Sequence, residues 1–229
     1  MTNDNNKPLI LIGSRIPIGK IKRVCRQHEI QIAGIIDSDY YGNQDWVEGI
    51  PIIDTETNLL KYKDDYNFFM ATSWSPDPAH ARDSQKRKYL IELIEKYNLN
   101  CISLVDIHSI VDPTAQLGKN VFVDCFCLLE EGVQIGDYSA MYNYAGVGHH
   151  CIIGKNCILQ GKSGLTSQVT IEDDCYIGMC SEVLRSGAII RQGTVIHPSL
   201  VLHRNTEENE VVSLAGKDLR RIYNNKQIV

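Results

Sequence analysis

The segment GVGHHCIIGKNCILQG, residues 146–161, sets His149 and His150 beside Cys151, with Cys157 six residues further on. Three chemistries use such residues. An imidazole can activate a thiol nucleophile, nitrogen and sulfur donors can hold zinc, and an imidazole alone can act as a general base. The eight cysteines (25, 101, 125, 127, 151, 157, 175 and 180) include no C-x-x-C pair. Cys125 and Cys127 are one residue apart, which suits neither a zinc knuckle nor a thioredoxin-type motif. The choice among the three depends on which way each side chain faces, and therefore on the repeat that carries them.

From Val111 to Val195 an aliphatic residue or Met stands at every sixth position, fifteen hexads with no insertion, running Val111, Leu117, Val123 and on to Ile189 and Val195. Four residues after each comes a small residue or Val. A period of six matches neither the 3.6 of a helix nor the 2 of a single strand. It matches a left-handed parallel β-helix, in which each hexad forms one short side and three sides make an 18-residue coil. The aliphatic residue fills the prism, and the small one turns inward near a corner. Cys127, Cys151, Cys157 and Cys175 occupy that small position, where a thiol packs as a compact hydrophobe. Cys151 is thus predicted to be a packing residue. His149 and His150, third and fourth in their hexad, face outward or lie at a corner.

An 18-residue coil stacks residue n over n−18, about 4.8 Å apart. The column through His149 then reads Pro113, Glu131, His149, Ser167, Arg185, His203. A carboxylate at Glu131, one rung below, is placed to accept the imidazole N–H and set its tautomer. Metal catalysis has a β-helical precedent in the gamma-class carbonic anhydrases, which use three histidines. Here His149 and His150 are more than two coils from His197 and His203. Five residues rather than four separate the latter two, so no metal site is predicted.

Residues 1–106 read as a Rossmann-like α/β domain, 107–205 as the β-helix and 206–229 as a C-terminal tail. Strands in KPLILIG, IQIAGIIDSD, NFFMATS and CISLVD alternate with helices in IKRVCRQHE and ARDSQKRKYLIELIEKYNL. That alternation implies a parallel sheet with crossover helices, whose strand ends bind nucleotides. The turn after the first strand fails both common phosphate motifs. Five residues rather than four separate Gly13 from Gly19, and Arg15 stands where a dinucleotide motif has its central glycine. A helix N-terminus with Arg15 or Lys20 nearby can still meet a phosphate. The net charge of −5, with 43% hydrophobic and 22% charged residues, describes a globular chain without a polyanion-binding surface. No segment is long and apolar enough to cross a bilayer, and MTNDNNKPLILIG lacks the layout of a secretory signal. The expectation is a cytoplasmic protein with no nucleic-acid or membrane partner.

The junction SLVDIHSIVDPTAQLGKNV, the segment HHCIIG and the GIPII turn at 49–53 resemble the PglD/NeuD family of sugar O- and N-acyltransferases, over nearly the whole chain. The resemblance implies acetyl transfer from acetyl-CoA to the amino group of a UDP- or dTDP-linked amino sugar. The nucleotide would sit in the N-terminal domain, and CoA between neighbouring β-helices of a homotrimer. His149 corresponds to the family's catalytic base, taking the proton as the sugar amine attacks the thioester directly without an acyl-enzyme, with Glu131 and His150 as its companions. Substrate contacts are expected at Gly13, Ser14, Arg15, Asp37, Ser73, Trp74 and Asn143. CoA contacts are expected at Ser167 and Arg185 and in the basic tail at Lys217 and Arg220, with Arg221 alongside. The chain departs from the family at His150, where relatives carry Glu, and at Ile158, where they carry a second histidine. Asn143 is one residue out of register with the family's asparagine, and SLAGKDLRR lacks its proline. Two alternatives stand beside N-acetylation: O-acetyl transfer of the sialic-acid type, and a non-catalytic trimeric β-helix scaffold.

Overall fold

The computed structural model describes residues 7–14 and 16–213. The chain divides into two compact units, residues 1–104 and 105–229.

In the first unit, β1 (Leu9–Ile12), β2 (Ile32–Ile36), β3 (Trp46–Val47), β4 (Ile50–Asp54) and β5 (Asn67–Met70) form one sheet in the order β3-β4-β2-β1-β5. All neighbours are parallel except the β3–β4 hairpin, which turns through Glu48 and Gly49 at positive φ. Two helices complete the unit, α1 (Ile18–Gln27) and α2 (Ala81–Tyr97). Helix α1 buries Ile18, Ile21, Val24 and Cys25, the i, i+3, i+6, i+7 stripe of a helix packed on one face. β1 is apolar throughout and wholly buried, as befits a central parallel strand. GIPII carries the turn glycine, Gly49, and the first residues of β4. One expectation is corrected. CISLVD does not add a strand to this sheet: Cys101 makes a single bridge to Phe68, and Leu104–Val105 pairs within the β-helix.

In the second unit every strand is two residues long, and the strands stack in register into three parallel sheets. The first face contains Ile110–Val111, Leu128–Leu129, Gly146–Val147, Gly164–Leu165, Glu182–Val183 and Val201–Leu202. The second runs from Gln116–Leu117 to Ile189–Ile190, and the third from Leu104–Val105 to Val211–Val212. This is the left-handed parallel β-helix that the hexads predict. The second residue of each strand points inward, and residues such as Leu129, Ile135, Met141, Val147, Ile153 and Leu159 form one continuous core. Small polar residues inside also close turns: the Ser139 hydroxyl donates to the Gly154 carbonyl at 2.8 Å and accepts the Cys157 N–H at 2.9 Å.

The hexad phase is not unbroken. Gly164 pairs with Glu182, 18 residues on, but Thr170 pairs with Ile189 and Glu182 with Val201, 19 residues on. One residue is inserted in the turn after Val183, where Gly187 takes a φ of 68°. The inward residues of the last coils are therefore Ile190, Ile196 and Leu202. Ile189 and Val201 face out, and the coil continues to Val212, into the segment expected to be tail. Isoleucine and valine pairs such as Ile189–Ile190 and Val195–Ile196 fit either phase, so the slip leaves no trace in the apolar pattern.

Candidate active site

His149 and His150 form the corner between strands Gly146–Val147 and Ile152–Ile153, and both are exposed. The backbone holds this corner from two sides. The His150 N–H donates to the Glu131 carbonyl of the coil below at 2.8 Å, and the Gln168 N–H above donates to the His149 carbonyl at 2.9 Å. The His149 N–H donates to Oε2 of Glu130 at 2.9 Å. The two rings meet edge to face at 86°, with Nδ1 of His149 3.1 Å from Nδ1 of His150.

That contact constrains the tautomers. One Nδ1 must carry the proton and the other must accept it. When His149 is the donor, its Nε2 keeps a lone pair facing solvent, as a general base requires. Orientation comes from His150 rather than from Glu131, whose carboxylate makes no hydrogen bond among the described residues; the carboxylate at the corner is Glu130. Reading the column by residue number pointed to Glu131, because the number gives the rung but not the direction of the side chain. A further partner, Gly132, left no signal in the sequence. It has φ +67°, and a Cβ there would come within 3.0 Å of the His150 ring, so the bare backbone makes room for that imidazole.

The rest of the column differs from expectation above Ser167. Ser186, not Arg185, takes the next place, its hydroxyl donating to the Ser167 carbonyl at 3.0 Å. Arg185 lies in the inserted bend and donates to Asn205 at 3.3 Å. His203 falls out of the column for the same reason. Asn143 is half-buried at the opposite corner of the first face, beside Tyr144.

Cys151 is buried, with its thiol donating to the Thr166 carbonyl at 3.0 Å. Burial raises its value, raises that of Cys157 further, and pushes Cys25 and Cys127 up to about 12. The thiolate is the reactive form, so these interior cysteines are inert. A thiol reagent added to the native protein is expected to modify exposed Cys180 first and half-buried Cys125 next. Cys25, Cys127, Cys151, Cys157 and Cys175 should react only on unfolding. Fast native labelling of Cys151 would return it to the list of nucleophiles. Among the described residues, no three His, Cys, Asp or Glu side chains are grouped to hold a metal ion.

In the N-terminal unit, Gly13, Ser14, Asp37, Ser73 and Trp74 follow the carboxyl ends of β1, β2 and β5. The strand order places β2 and β5 on opposite sides of β1, the switch point at which such sheets bind ligands. Gly13 turns here with φ +76°, and a Cβ would lie 2.6 Å from the Thr72 methyl. No side chain caps the first turn of α1. Ser73 and Trp74 follow β5, half-buried. Arg15, Lys217, Arg220 and Arg221 lie outside the described residues.

Asp37 departs from its expected role. Its carboxylate is fully buried: Oδ2 accepts from the Ser14 hydroxyl at 2.7 Å, and Oδ1 accepts from the Lys86 ammonium and the Asp39 N–H. Lys86 also meets Asp39 and Glu56, each at 3.1 Å. Asp37 therefore anchors the Ser14 turn from beneath, and its oxygens are already committed. Burial alone would pull the Lys86 ammonium down. The hydrogen bond and charge of Asp37, with the charge of Glu56, outweigh it and hold Lys86 above the ordinary lysine value.

No protein-family model and no curated protein matches the sequence. Solved structures do. A histidine variant of perosamine N-acetyltransferase from Caulobacter crescentus, in complex with CoA and GDP-perosamine, is 19% identical. The match covers 90% of this chain and 93% of that one, with a TM-score of 0.77. The acetyltransferase domain of PglB from Neisseria gonorrhoeae is also 19% identical, over 90% of this chain and 96% of that one, with a TM-score of 0.72. WeeI from Acinetobacter baumannii is 18% identical, over 91% and 97%, with a TM-score of 0.74. At these identities the likeness establishes a shared fold: an α/β unit followed by a β-helix.

Proposed function

We propose that this chain is an acetyl-CoA-dependent N-acetyltransferase acting on the amino group of a nucleotide-linked amino sugar. The observation that carries the reading is the exposed His149 imidazole, with Nδ1 engaged by His150 and Nε2 open, on a β-helix corner whose cysteines are buried and inert. Support comes from fold neighbours bound to CoA with GDP-perosamine, and to acetyl coenzyme A. The resemblance of HHCIIG to the PglD/NeuD motif points the same way.

In this reaction the amine nitrogen adds to the thioester carbonyl while Nε2 of His149 takes the proton the nitrogen sheds. The tetrahedral intermediate collapses to the amide, the C–S bond breaks, and the CoA thiolate leaves and is protonated. The attack is direct, without an acyl-enzyme, because Cys151, the thiol nearest His149 in the chain, is buried and bonded to the Thr166 carbonyl. Hydrogen-bond donors must hold the oxyanion, and Ser167, one rung above His149, belongs to the proposal as a CoA contact. The N-terminal unit binds the nucleotide at the Gly13–Ser14 turn and the ends of β1 and β5, with UDP or dTDP as the expected carrier. A homotrimer belongs to the same proposal. Its contacts would cover the apolar residues exposed on the first coils, Ile107, Ile110 and Phe126.

The test mixes the protein with acetyl-CoA and a panel of UDP-, dTDP- and GDP-linked amino sugars, with free sialic acid as a further acceptor. CoA release is followed by chromatography, because exposed Cys180 would itself consume a thiol reagent. Release with an amino sugar is the expected result. Release with sialic acid alone would establish O-acetylation instead, and no release with any acceptor would overturn the enzymatic reading.

A further inference from the structure

The β-helix glycines fall into two groups by what a side chain would meet. At Gly136, Gly148 and Gly178 an added Cβ would lie 2.6, 2.9 and 2.5 Å from backbone atoms of the next coil. These glycines follow strands, and the close stacking of coils requires them. Gly146 and Gly164 are different. Each is the outward residue of a first-face strand, the two pair directly on adjacent rungs, and neither has a positive φ. A Cβ at Gly146 would meet nothing within 4 Å, and at Gly164 only Cγ of Glu182, at 3.6 Å. The fold demands neither glycine, and glycine inside a strand costs about 0.5–1 kcal/mol relative to alanine. Such a glycine often marks a close approach by a ligand or another backbone.

The outward row of the first face reads Ile110, Leu128, Gly146, Gly164, Glu182, Val201. It therefore holds a bare strip two rungs high, closed below by Leu128 and above by Glu182. One long edge is the Asn143–Tyr144 corner, with Tyr144 54% exposed, and the other is the His149–His150 corner. The N–H groups of Gly146, Gly148, Gly164 and Thr166 are all spent on carbonyls of the next coil. The floor thus offers Cα hydrogens and no spare donor. An amide-rich chain laid there would leave its carbonyls unsatisfied, whereas the C–H face of a saturated ring loses nothing.

We infer that Gly146 and Gly164 form the floor on which the acceptor sugar lies, C–H face down, with its amino group toward His149. Tyr144 bounds the opposite edge, and the Glu182 carboxylate accepts from a ring hydroxyl at the upper end. This rests on the acetyl transfer proposed above and makes Gly146 a specificity-determining residue for the acceptor.

The experiment compares Gly146→Ala and Gly146→Val with wild type. Because a Cβ at 146 has open space and glycine inside a strand is itself costly, both variants should melt at or slightly above the wild-type temperature and keep the wild-type mass by light scattering. The acceptor KM should rise a fewfold for alanine and at least tenfold for valine, with the acetyl-CoA KM unchanged. An unchanged acceptor KM for Gly146→Val would overturn the floor while leaving the transfer reaction intact. A raised acetyl-CoA KM instead would assign the strip to the donor, and a fall in mass would assign it to a subunit contact; either overturns the inference. Absence of turnover by the wild type with any acceptor would remove the reaction itself, which the variants alone cannot do.

Discussion

Replacing His149 with alanine is expected to lower kcat/KM for acetyl transfer by about 10²–10⁴-fold, the usual worth of a positioned general base. The loss should fall on kcat, because the imidazole acts on the proton released as nitrogen adds to the carbonyl and contributes little to holding either substrate beforehand. Folding should be untouched. The backbone bonds at this corner, from the His149 N–H to Glu130 and from the Gln168 N–H to the His149 carbonyl, survive the substitution. The lost side chain is exposed, and surface changes away from special features shift stability by only about 0.5 kcal/mol. The checks are steady-state kinetics on the acceptor found in the panel, calorimetric titration with CoA, and a thermal melt. A near-normal kcat would take His149 out of the mechanism. Lost CoA affinity would make it a binding residue instead.

Replacing Lys86 with methionine is expected to cost the N-terminal unit about 3–5 kcal/mol, because breaking a buried ion pair from one side leaves the other charge uncompensated. The Lys86 side chain is 11% exposed, that of Asp37 0% and that of Glu56 3%, so water cannot replace the lost cation. A matching Asp37→Asn in the Lys86→Met background should recover part of the loss by removing the stranded charge. Denaturant unfolding measures both, and an unchanged midpoint for Lys86→Met would mean the cluster is solvated. The pH dependence has a definite sign. Lys86 is held above its ordinary value in the folded protein. Its contribution is therefore full below the unfolded-chain value of about 10.4 and is lost as pH rises through the raised value. The consequence for binding is indirect. Asp37 fixes Ser14, so losing Lys86 should loosen the turn proposed to meet the nucleotide before the sheet itself gives way.

The hexads are legible in sequence because each inward position is decided by its own residue. An aliphatic at one place and a small residue four later suffice to set the period, the coil and the outward direction of His149. The same logic places Cys151 inside, which removes the thiol from the chemistry. It fails after Val183, where Ile189–Ile190 and Val195–Ile196 supply an apolar residue in either phase and conceal the extra residue before Ala188. That slip sends Arg185 into a bend and His203 out of the column.

What the sequence determined by itself is the repeat, the α/β unit before it and the imidazole at the corner, all products of local patterning along the chain. Only the tertiary structure decided which neighbours those groups meet. The His149 ring faces His150 rather than Glu131, Asp37 is committed to Lys86 and Ser14, and Gly146 stands open while Gly136 is closed by the next coil. The reason is geometric. Periodicity fixes which way a residue points, but a hydrogen bond needs two side chains to arrive at one place, and their rotamers are chosen by packing between segments far apart in sequence.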